Sequence, residues 1–414
     1  MPIYRETDID NLLPLTRATS GWYNNAAGLL TEAPSGIRRS DYDTATLAWR
    51  GVRVEEAATN LVPNPRAEGA VVAGALPTGW PQIGGGLTAA VTWIGLLPDG
   101  WPGIEFLITG TSTGSTQILH CAGGNPPPIT AAPSVGVWSA RLGIEVLSAT
   151  GCTIKHGLNS LNATGGIIGS NSVQGSTITA GTAYARSELI NRTLTNASTA
   201  GATTGIRIDG VTNGVAVSAR VRMALPQLFA TSILYSPSLP PVASPGASLR
   251  AADNLSATDN DLWFSATVGT FALDFMPGQS AAPSQRGLLA LDDGTGDNVV
   301  DVSMLAASNT VRLTVVAAGS PVVASLDAAS ATALTRHTLR LSYGPAGYLM
   351  SLNGAAPVTA AGAVPAGLSA VRVGRRHQGT GGHYLNGWVG PRFAYVPVQY
   401  TDVAAADGRT IRDW

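Results

Sequence analysis

The stretch VVDVSMLAASNTVRLTVVA, residues 299–317, decides the fold class. Apolar and polar residues alternate in two runs here, and the polar turn AASN separates them. The pattern returns in HTLRLSYGPAGYLMSLN, residues 337–353, where Gly and Pro interrupt it. A period of two that ends at turn residues is typical of half-buried β-strands. We therefore expect strands at Val299–Leu305, Val311–Ala317, His337–Tyr343 and Tyr348–Asn353.

Turn residues recur along the whole chain, which contains 49 Gly and 26 Pro. The aspartate-rich run 292–297 lies between alternating segments, and Asn353-Gly354 and Asn386-Gly387 are typical of type I′ hairpin turns. No convincing helical period is visible. Many short strands without intervening helices predict an all-β protein with two antiparallel β-sandwich (jelly-roll) domains in tandem behind a short irregular N-terminal segment.

Two changes of composition mark the predicted boundaries. The motif NLVPNP at Asn60–Pro65 follows a segment with few strand-length alternations. The stretch YSPSLPPVASPG is rich in proline, which favours extended backbone. These features predict an N-terminal segment at 1–60, a first sandwich at 61–235, a Pro-rich linker at 236–246 and a second sandwich at 247–414.

The charge composition argues against several classes of protein. Charged residues make up 12% of the chain, and the formal net charge is -1, so no long-range field would attract nucleic acid. The start MPIYRETDID lacks the apolar core of a signal peptide, and no run of about 18 apolar residues could cross a membrane. We expect synthesis in a host cytoplasm without a signal peptide. The cysteines Cys121 and Cys152 favour free thiols over a bridge.

Sequence motifs for catalysis are absent. The five histidines lack zinc-site spacing, and there is no nucleophile elbow or phosphate-binding loop. A carboxylate pair could still assemble in space, although the adjacent Glu55 and Glu56 belong to the N-terminal segment. The sequence favours a non-enzymatic protein without a cofactor. Asp292, Asp293 and Asp297 could bind Ca²⁺ or could simply form a turn.

Aromatic residues are the first candidates for binding sugars, because their faces stack on pyranose C–H groups. Trp80, Trp93 and Trp101 lie close together beside Gly/Pro-rich loops; each could instead be a core residue. Trp138, Trp263 and Trp388 sit within alternating segments, where a core position is expected. A second candidate ligand cluster flanks a glycine-rich loop, which could instead be a flexible, solvated hairpin loop; it consists of Arg375, Arg376, His377, His383 and Tyr384.

The N-terminal segment, Leu15 to Pro65, resembles a segment that recurs in tail-fibre, spike and minor structural proteins of tailed phages, prophages and gene transfer agents. The residues that carry the resemblance are Arg17, Tyr23, Gly28, Leu30, Arg39, Asp41, Tyr42, Asp43, Gly51, Glu55, Glu56, Thr59, Asn60 and Leu61. The sequence departs mildly from the family pattern at Arg38-Arg39 and at Val52-Arg53-Val54.

The remaining chain is similar to the domains that follow this segment in such proteins. Residues 61–235, which contain ALPQLFATS, resemble a jelly roll of the carbohydrate-binding-module type. Residues 247–414 resemble a concanavalin-like or laminin-G-like sandwich through GTFALDFMP, LLALDDGTGDN, HTLRLSYGPAGYLMSLNG and HYLNGWVGPRFAYVP.

The resemblance implies a receptor-binding spike or fibre protein on the head or tail surface of a virion. It would recognise capsular or cell-wall polysaccharide of bacteria and would act as a homo-oligomer, expected to be a trimer. The alternative is a decoration or baseplate component with protein–protein contacts only. Attachment to other virion proteins would involve Arg17, Tyr23, Asp41, Asp43, Glu55, Glu56 and Asn60.

Overall fold

The computed structural model describes residues 13–121, 136–164, 167–231, 248–258, 264–279, 284–377 and 383–400. Every regular element in these ranges is a β-strand, which confirms the predicted all-β class. None of the described residues forms a helix that is long and apolar enough to cross a membrane. The predicted Pro-rich linker, 236–246, lies outside the described residues, as does Trp263.

The strands are numbered here in chain order. Those of the first half are β1 (Leu15–Thr16), β2 (Gly21–Asn24), β3 (Leu30–Ala33), β4 (Ser40–Tyr42), β5 (Trp49–Val54), β6 (Ala58–Asn60), β7 (Leu87–Leu96), β8 (Pro102–Thr111), β9 (Gln117–His120), β10 (Gly136–Thr150), β11 (Thr153–Leu161), β12 (Ile167–Ile178), β13 (Ala185–Leu194), β14 (Gly201–Asp209) and β15 (Ala216–Phe229). Those of the second half are β16 (Ser248–Arg250), β17 (Asn254–Thr258), β18 (Gly269–Pro277), β19 (Arg286–Asp292), β20 (Val299–Met304), β21 (Thr310–Ala317), β22 (Ser320–Ser330), β23 (His337–Gly344), β24 (Gly347–Leu352), β25 (Val358–Ala360), β26 (Ala370–Val373) and β27 (Gly387–Val396).

The chain forms two compact units. Unit 1 contains Met1–Ala27, Thr31–Ala57 and Ala251–Trp414, and unit 2 contains Gly28–Leu30 and Ala58–Arg250. Most of unit 2 is therefore inserted into the sequence of unit 1. Strands β6 and β16 pair with each other, with Ala58 opposite Arg250, so the inserted chain begins and ends at neighbouring positions.

Unit 1 is a sandwich of two seven-stranded sheets. Their strand orders are β1-β17-β26-β19-β20-β21-β22 and β25-β24-β23-β18-β27-β5-β4. The core lies between the sheets, where Val300 and Leu313 of the first belong to one buried cluster with Phe271 and Leu341 of the second. Because alternate residues of each strand face this core, the pattern in residues 299–317 and 337–353 predicted β20, β21, β23 and β24 to within one residue at each end.

Two predicted turns of unit 1 are confirmed. The aspartate-rich run joins β19 to β20, which pair as a hairpin. Asn353 and Gly354 have φ of 56° and 72°, and the Ala355 N–H donates to the carbonyl of Leu352 at 3.1 Å. Positive φ at both central residues is the geometry of a type I′ turn, which Asn-Gly adopts readily.

Unit 2 is a smaller sandwich. Its sheets have five strands in the order β13-β10-β15-β8-β7 and four strands in the order β12-β11-β14-β9. Phe106, Trp138 and Ile206 contribute to its core. Both cysteines are free, as expected, and burial raises the pKa of the Cys121 thiol.

The N-terminal segment differs from its prediction as a separate irregular element at 1–60. β1 pairs with β17 at the edge of one sheet of unit 1, and β4 and β5 extend the other sheet beside β27. β1 and β4 were missed because they have only two and three residues, too few to show an alternation. The partners of β1 and β5, which are β17 and β27, are distant in the sequence.

A buried ion-pair network fixes this segment within unit 1. Arg17 Nη1 lies 2.9 Å from Asp253 Oδ1, and Arg39 contacts both Asp253 and Glu55. All four side chains are buried. Although burial disfavours its charge, Asp253 and Glu55 raise the pKa of the Arg39 guanidinium. Burying an arginine without a partner would be strongly destabilising. The paired carboxylates offset that desolvation penalty.

Several residues predicted to attach the protein to a virion have internal partners instead. Arg17, Asp41, Glu55 and Asn60 are buried. Asp41 accepts the indole N–H of Trp388 at 2.8 Å, and the Asn60 carboxamide oxygen accepts the Leu228 N–H at 3.0 Å. A side chain enclosed in this way cannot contact another protein while the fold is intact. Of the predicted set, Tyr23, Asp43 and Glu56 remain partly accessible.

Candidate functional site

A polar surface of unit 2 is the outer face of its five-stranded sheet, formed by β13, β10, β15, β8 and β7. Side chains alternate across each strand, so Ile104 and Phe106 of β8 enter the core while Glu105 points away from it. Cross-strand pairing places Trp93, Glu105, Arg222 and Glu145 in one row over four strands. We refer to this surface as the outer face.

The row is organised around Glu105, whose side chain is only 1% exposed. Glu105 accepts hydrogen bonds from Arg220 Nε and Arg222 Nε, both at 3.0 Å, and from Thr92 Oγ1 at 2.9 Å. Arg222 Nη1 also donates to Glu145 at 3.1 Å. Burial raises the pKa of Glu105, but these hydrogen bonds outweigh it and lower the pKa overall. Glu105 is thus a fixed anion that holds two arginines.

Trp93 supplies the aromatic surface of the row. Its indole is partly exposed, and the Arg222 guanidinium lies 5.0 Å from the ring centroid. The ring occupies the space that a Cβ on Gly95 would need, two residues further along the same strand. The absence of a side chain at Gly95 therefore lets the indole lie along the sheet.

Hydroxyl groups form another row on the outer face. Thr88, Thr109, Ser218 and Thr150 lie opposite one another on β7, β8, β15 and β10. Thr88, Ser218 and Thr150 are exposed, and Thr109 is partly so. Arg220 lies on β15 between the two rows.

The far end of the outer face is filled by the turn between β7 and β8. Trp101 is buried beneath Arg186, whose guanidinium lies 4.3 Å from the ring centroid. Asp99 accepts the Tyr184 hydroxyl at 3.0 Å and Arg186 Nε at 3.3 Å. The open surface is therefore limited to the part around Trp93 and the hydroxyl row.

The three clustered tryptophans do not form one site. Trp80 is buried in the core of unit 2, where it stacks on Phe106 at a centroid distance of 6.1 Å. Trp101 is also buried, so neither ring offers a face to a ligand. Only Trp93 lies on an accessible surface, while Trp138 and Trp388 are buried as expected.

The fold brings the second candidate cluster, around Arg375 and Arg376 in unit 1, together. Most of its polar groups already bind neighbouring residues of the same unit. Arg375 Nη1 donates to Asn254 at 2.6 Å, and its guanidinium lies 5.5 Å from the Tyr384 ring centroid. Arg376 donates to Asp301 at 2.7 Å and to the Gln285 carboxamide oxygen at 2.6 Å.

The histidines of this cluster lie beside the same groups. His383 Nδ1 is 3.1 Å from the carbonyl oxygen of Gln285, and His377 is partly buried. Burial raises the pKa of the Asp301 carboxyl, although Arg376 opposes this. The loop that separates the two histidines, residues 378–382, lies outside the described residues. With its arginines paired internally, the cluster is a weaker candidate than the outer face of unit 2.

The three aspartates proposed for Ca²⁺ do not converge. Asp292 is buried and accepts Arg372 Nε at 2.5 Å and Nη2 at 2.9 Å, whereas Asp293 accepts hydrogen bonds from Thr295 and Asn298 within the turn. Asp297 lies at the end of that turn. Among the described residues no group of three or more acidic, His or Cys side chains is arranged to hold a metal ion.

Comparison with known proteins does not identify a family for this chain. No protein-family model and no curated protein sequence matches the chain. Solved structures with a similar fold include the CBM40 of a Ruminococcus gnavus IT-sialidase bound to α2,3 sialyllactose, at 17% identity over 34% of this chain and 82% of that one, with a TM-score of 0.28.

Two further solved structures cover more of the chain. Domains LG4-5 of the mouse laminin α1 chain match at 11% identity over 71% of this chain and 88% of that one, with a TM-score of 0.26. The Trypanosoma rangeli sialidase in complex with DANA matches at 10% identity over 77% and 61%, with a TM-score of 0.29. Likeness at this level supports no inference about ligand or activity, so function must be argued from the residues.

Proposed function

We propose that this protein is a non-catalytic carbohydrate-binding protein and that the outer face of unit 2 is its binding site. The observation that carries the proposal is the partly exposed Trp93 indole, which lies beside a fixed guanidinium on the same sheet face as a row of exposed hydroxyl groups. An aromatic face stacks on the C–H groups of a pyranose ring, and flanking polar groups orient the sugar hydroxyls.

The rigidity of these groups favours binding. Trp93 lies over Gly95 of its own strand and against Arg222, and Arg222 is held by Glu105 and Glu145. Side chains that are ordered before the ligand arrives lose less conformational entropy on binding. Shallow sheet faces of this kind bind weakly at a single site, and several copies on one particle would raise the overall affinity.

The electrostatics of the outer face support a non-catalytic role. A glycosidase needs one carboxyl group with a raised pKa to protonate the leaving group. Glu105 has a lowered pKa because two arginines and Thr92 donate to it, so it is poorly suited to act as an acid. Release of reducing ends from a polysaccharide incubated with the purified protein would contradict this part of the proposal.

We further propose that the carbohydrate is bacterial surface polysaccharide and that the protein is a receptor-binding spike or fibre component of a phage-like particle. This step rests on the resemblance of residues 15–65 to the recurrent tail-fibre segment and on a surface poor in charge and rich in hydroxyls. Homo-oligomerisation as a trimer, and attachment through partly accessible residues of the segment such as Tyr23 and Glu56, belong to the same proposal.

A second candidate function has its own observation. Ile94 and Leu96 of the edge strand β7 are exposed, Leu96 to 70%. An edge strand with apolar side chains is a surface suited to another protein. This favours a decoration or baseplate role with protein contacts only. Loss of self-association or particle assembly in Ile94→Asp, with no polysaccharide bound by either the wild type or the variant, would support that role.

The binding proposal is tested with a panel of bacterial capsular and cell-wall polysaccharides. The wild-type protein is expected to bind at least one of them, and Trp93→Ala is expected to weaken that binding by about tenfold or more because the stacking surface is lost. Leu96→Ala is the matched control, since it removes an exposed apolar side chain from the same strand. Equal binding by the wild type and Trp93→Ala would place the site elsewhere.

A further inference from the structure

Two arginines of β15 on the outer face, Arg220 and Arg222, each keep one guanidinium nitrogen free. Arg220 uses Nε and Nη2, at 3.0 and 2.5 Å, on a single oxygen of Glu105. Arg222 uses Nε on Glu105 and Nη1 on Glu145. Among the described residues, Arg220 Nη1 and Arg222 Nη2 have no further hydrogen-bond partner. Each of these nitrogens carries two N–H donors that are not used within the fold.

The exposed part of this cluster is cationic, although its formal charges cancel. The side chains of Arg220 and Arg222 are 52% and 31% exposed, whereas those of Glu105 and Glu145 are 1% and 19% exposed. The carboxylates lie beneath or beside the guanidinium groups and hold them in place. A ligand that approaches the outer face therefore meets arginine first.

The spacing suits a charged sugar on the Trp93 platform. Arg220 and Arg222 are two residues apart on β15, so their Cα atoms lie roughly 7 Å apart on the same side of the sheet. Arg222 also lies against the Trp93 ring. Guanidinium N–H groups form their strongest hydrogen bonds with carboxylate and phosphate oxygens.

We infer that the outer face selects acidic polysaccharides, in which a carboxylate of a sugar stacked on or next to Trp93 binds the free N–H groups of Arg220 and Arg222. This inference rests on the proposed function and specifies its ligand. Because the net charge of the chain is -1, recognition of the acid is local and depends on contact, with little long-range attraction.

The test uses the full-length protein and acidic bacterial polysaccharides, each in its native form and after chemical reduction of its uronic acid carboxyls to neutral hydroxymethyl groups. The wild type is expected to bind the native form about tenfold more tightly than the reduced form. Arg220→Gln should remove most of that preference, because the loss of affinity falls mainly on the native form. Glu105 keeps Arg222 and Thr92 in this variant, so the fold is expected to persist.

Arg312→Gln is the matched control, because Arg312 is also a partly exposed arginine paired with a carboxylate, Asp327, on an outer sheet surface. It should retain the full preference for the native form. Equal binding of native and reduced polysaccharide by the wild type would overturn the inference and leave the proposed function standing. Absence of binding to both forms of every polysaccharide would overturn the proposed function itself.

Discussion

His156 lies between the two sheets of unit 2 and is fully buried. Its Nδ1 is 3.1 Å from Ser187 Oγ and its Nε2 is 2.9 Å from Thr204 Oγ1, so the imidazole links β11 to β13 and to β14. Burial lowers the pKa of His156 to about 3 and that of His120 to about 4, from an ordinary value of 6.5. Both rings are neutral in the folded protein at neutral pH.

Unit 2 should therefore lose stability in mild acid. Below pH 6.5 both histidines bind protons in the unfolded chain but stay unprotonated in the folded protein. The free energy of unfolding therefore falls as the pH decreases towards 4. Each histidine contributes at most about 1.4 kcal/mol per pH unit. His156→Gln, which keeps hydrogen-bonding groups, should be less stable at pH 7 but less sensitive to acid. Urea unfolding from pH 7 to 4.5 measures this, and identical pH slopes would contradict it.

Individual residues of the outer face differ in how far the sequence predicted their place in the candidate site. Trp93 was identified because an aromatic side chain beside Gly/Pro-rich segments is informative in the sequence alone. Glu105, Arg220 and Arg222 were missed because their meeting depends on which strands are neighbours. β8 and β15 are separated by about 100 residues, and no local pattern reveals that they pair.

Among the elements, strand β7 carries the geometry on which the proposed binding depends. Among the described strands β7 has a neighbour on one side only, so Trp93 has no cross-strand partner on the other side. Trp93 compensates by lying over Gly95 of the same strand and against Arg222. The position of the indole is thus set by a missing side chain.

Gly95→Ala is expected to weaken polysaccharide binding by about threefold to tenfold while leaving the melting temperature nearly unchanged, because the added methyl group displaces the ring and alanine is tolerated in a strand. Gly84→Ala serves as the control; a Cβ there would be 3.4 Å from its nearest neighbour, Gln117 Oε1. Isothermal titration and thermal unfolding measure the two effects. Unchanged binding by Gly95→Ala would mean that the orientation of the indole is unimportant.

The strands themselves were predictable to different degrees. β20, β21, β23 and β24 pair with sequence neighbours and alternate over six to eight residues, so a local pattern sufficed. β1 and β4 are too short for any pattern, and their place follows from pairing and from the buried Arg17–Asp253 and Arg39–Glu55 ion pairs. The all-β class could therefore be predicted, but the membership of the N-terminal strands could not.

At the scale of the whole molecule, the N-terminal segment and the C-terminal region form one unit, although unit 2 lies between them in the sequence. The predicted first sandwich, 61–235, falls within the main part of unit 2, Ala58–Arg250, which extends past the predicted linker at 236–246. The sequence did not predict that the segments before and after this region form one unit. An inserted domain whose ends are adjacent disturbs its host little, which explains how the two parts of unit 1 can still meet.

Fragments of the chain test this architecture. Residues 58–250 should fold alone, because their core and sheets are complete, whereas residues 251–414 should fail to unfold cooperatively without β1, β4 and β5 and the partners of Asp253. Joining residues 1–57 directly to 251–414 through a short Gly-Ser linker should restore a cooperative transition, since β6 and β16 bring Ala58 and Arg250 side by side. Circular dichroism and urea unfolding measure each fragment. If residues 251–414 unfold cooperatively by themselves, the buried ion pairs tether the N-terminal segment without being needed to build unit 1.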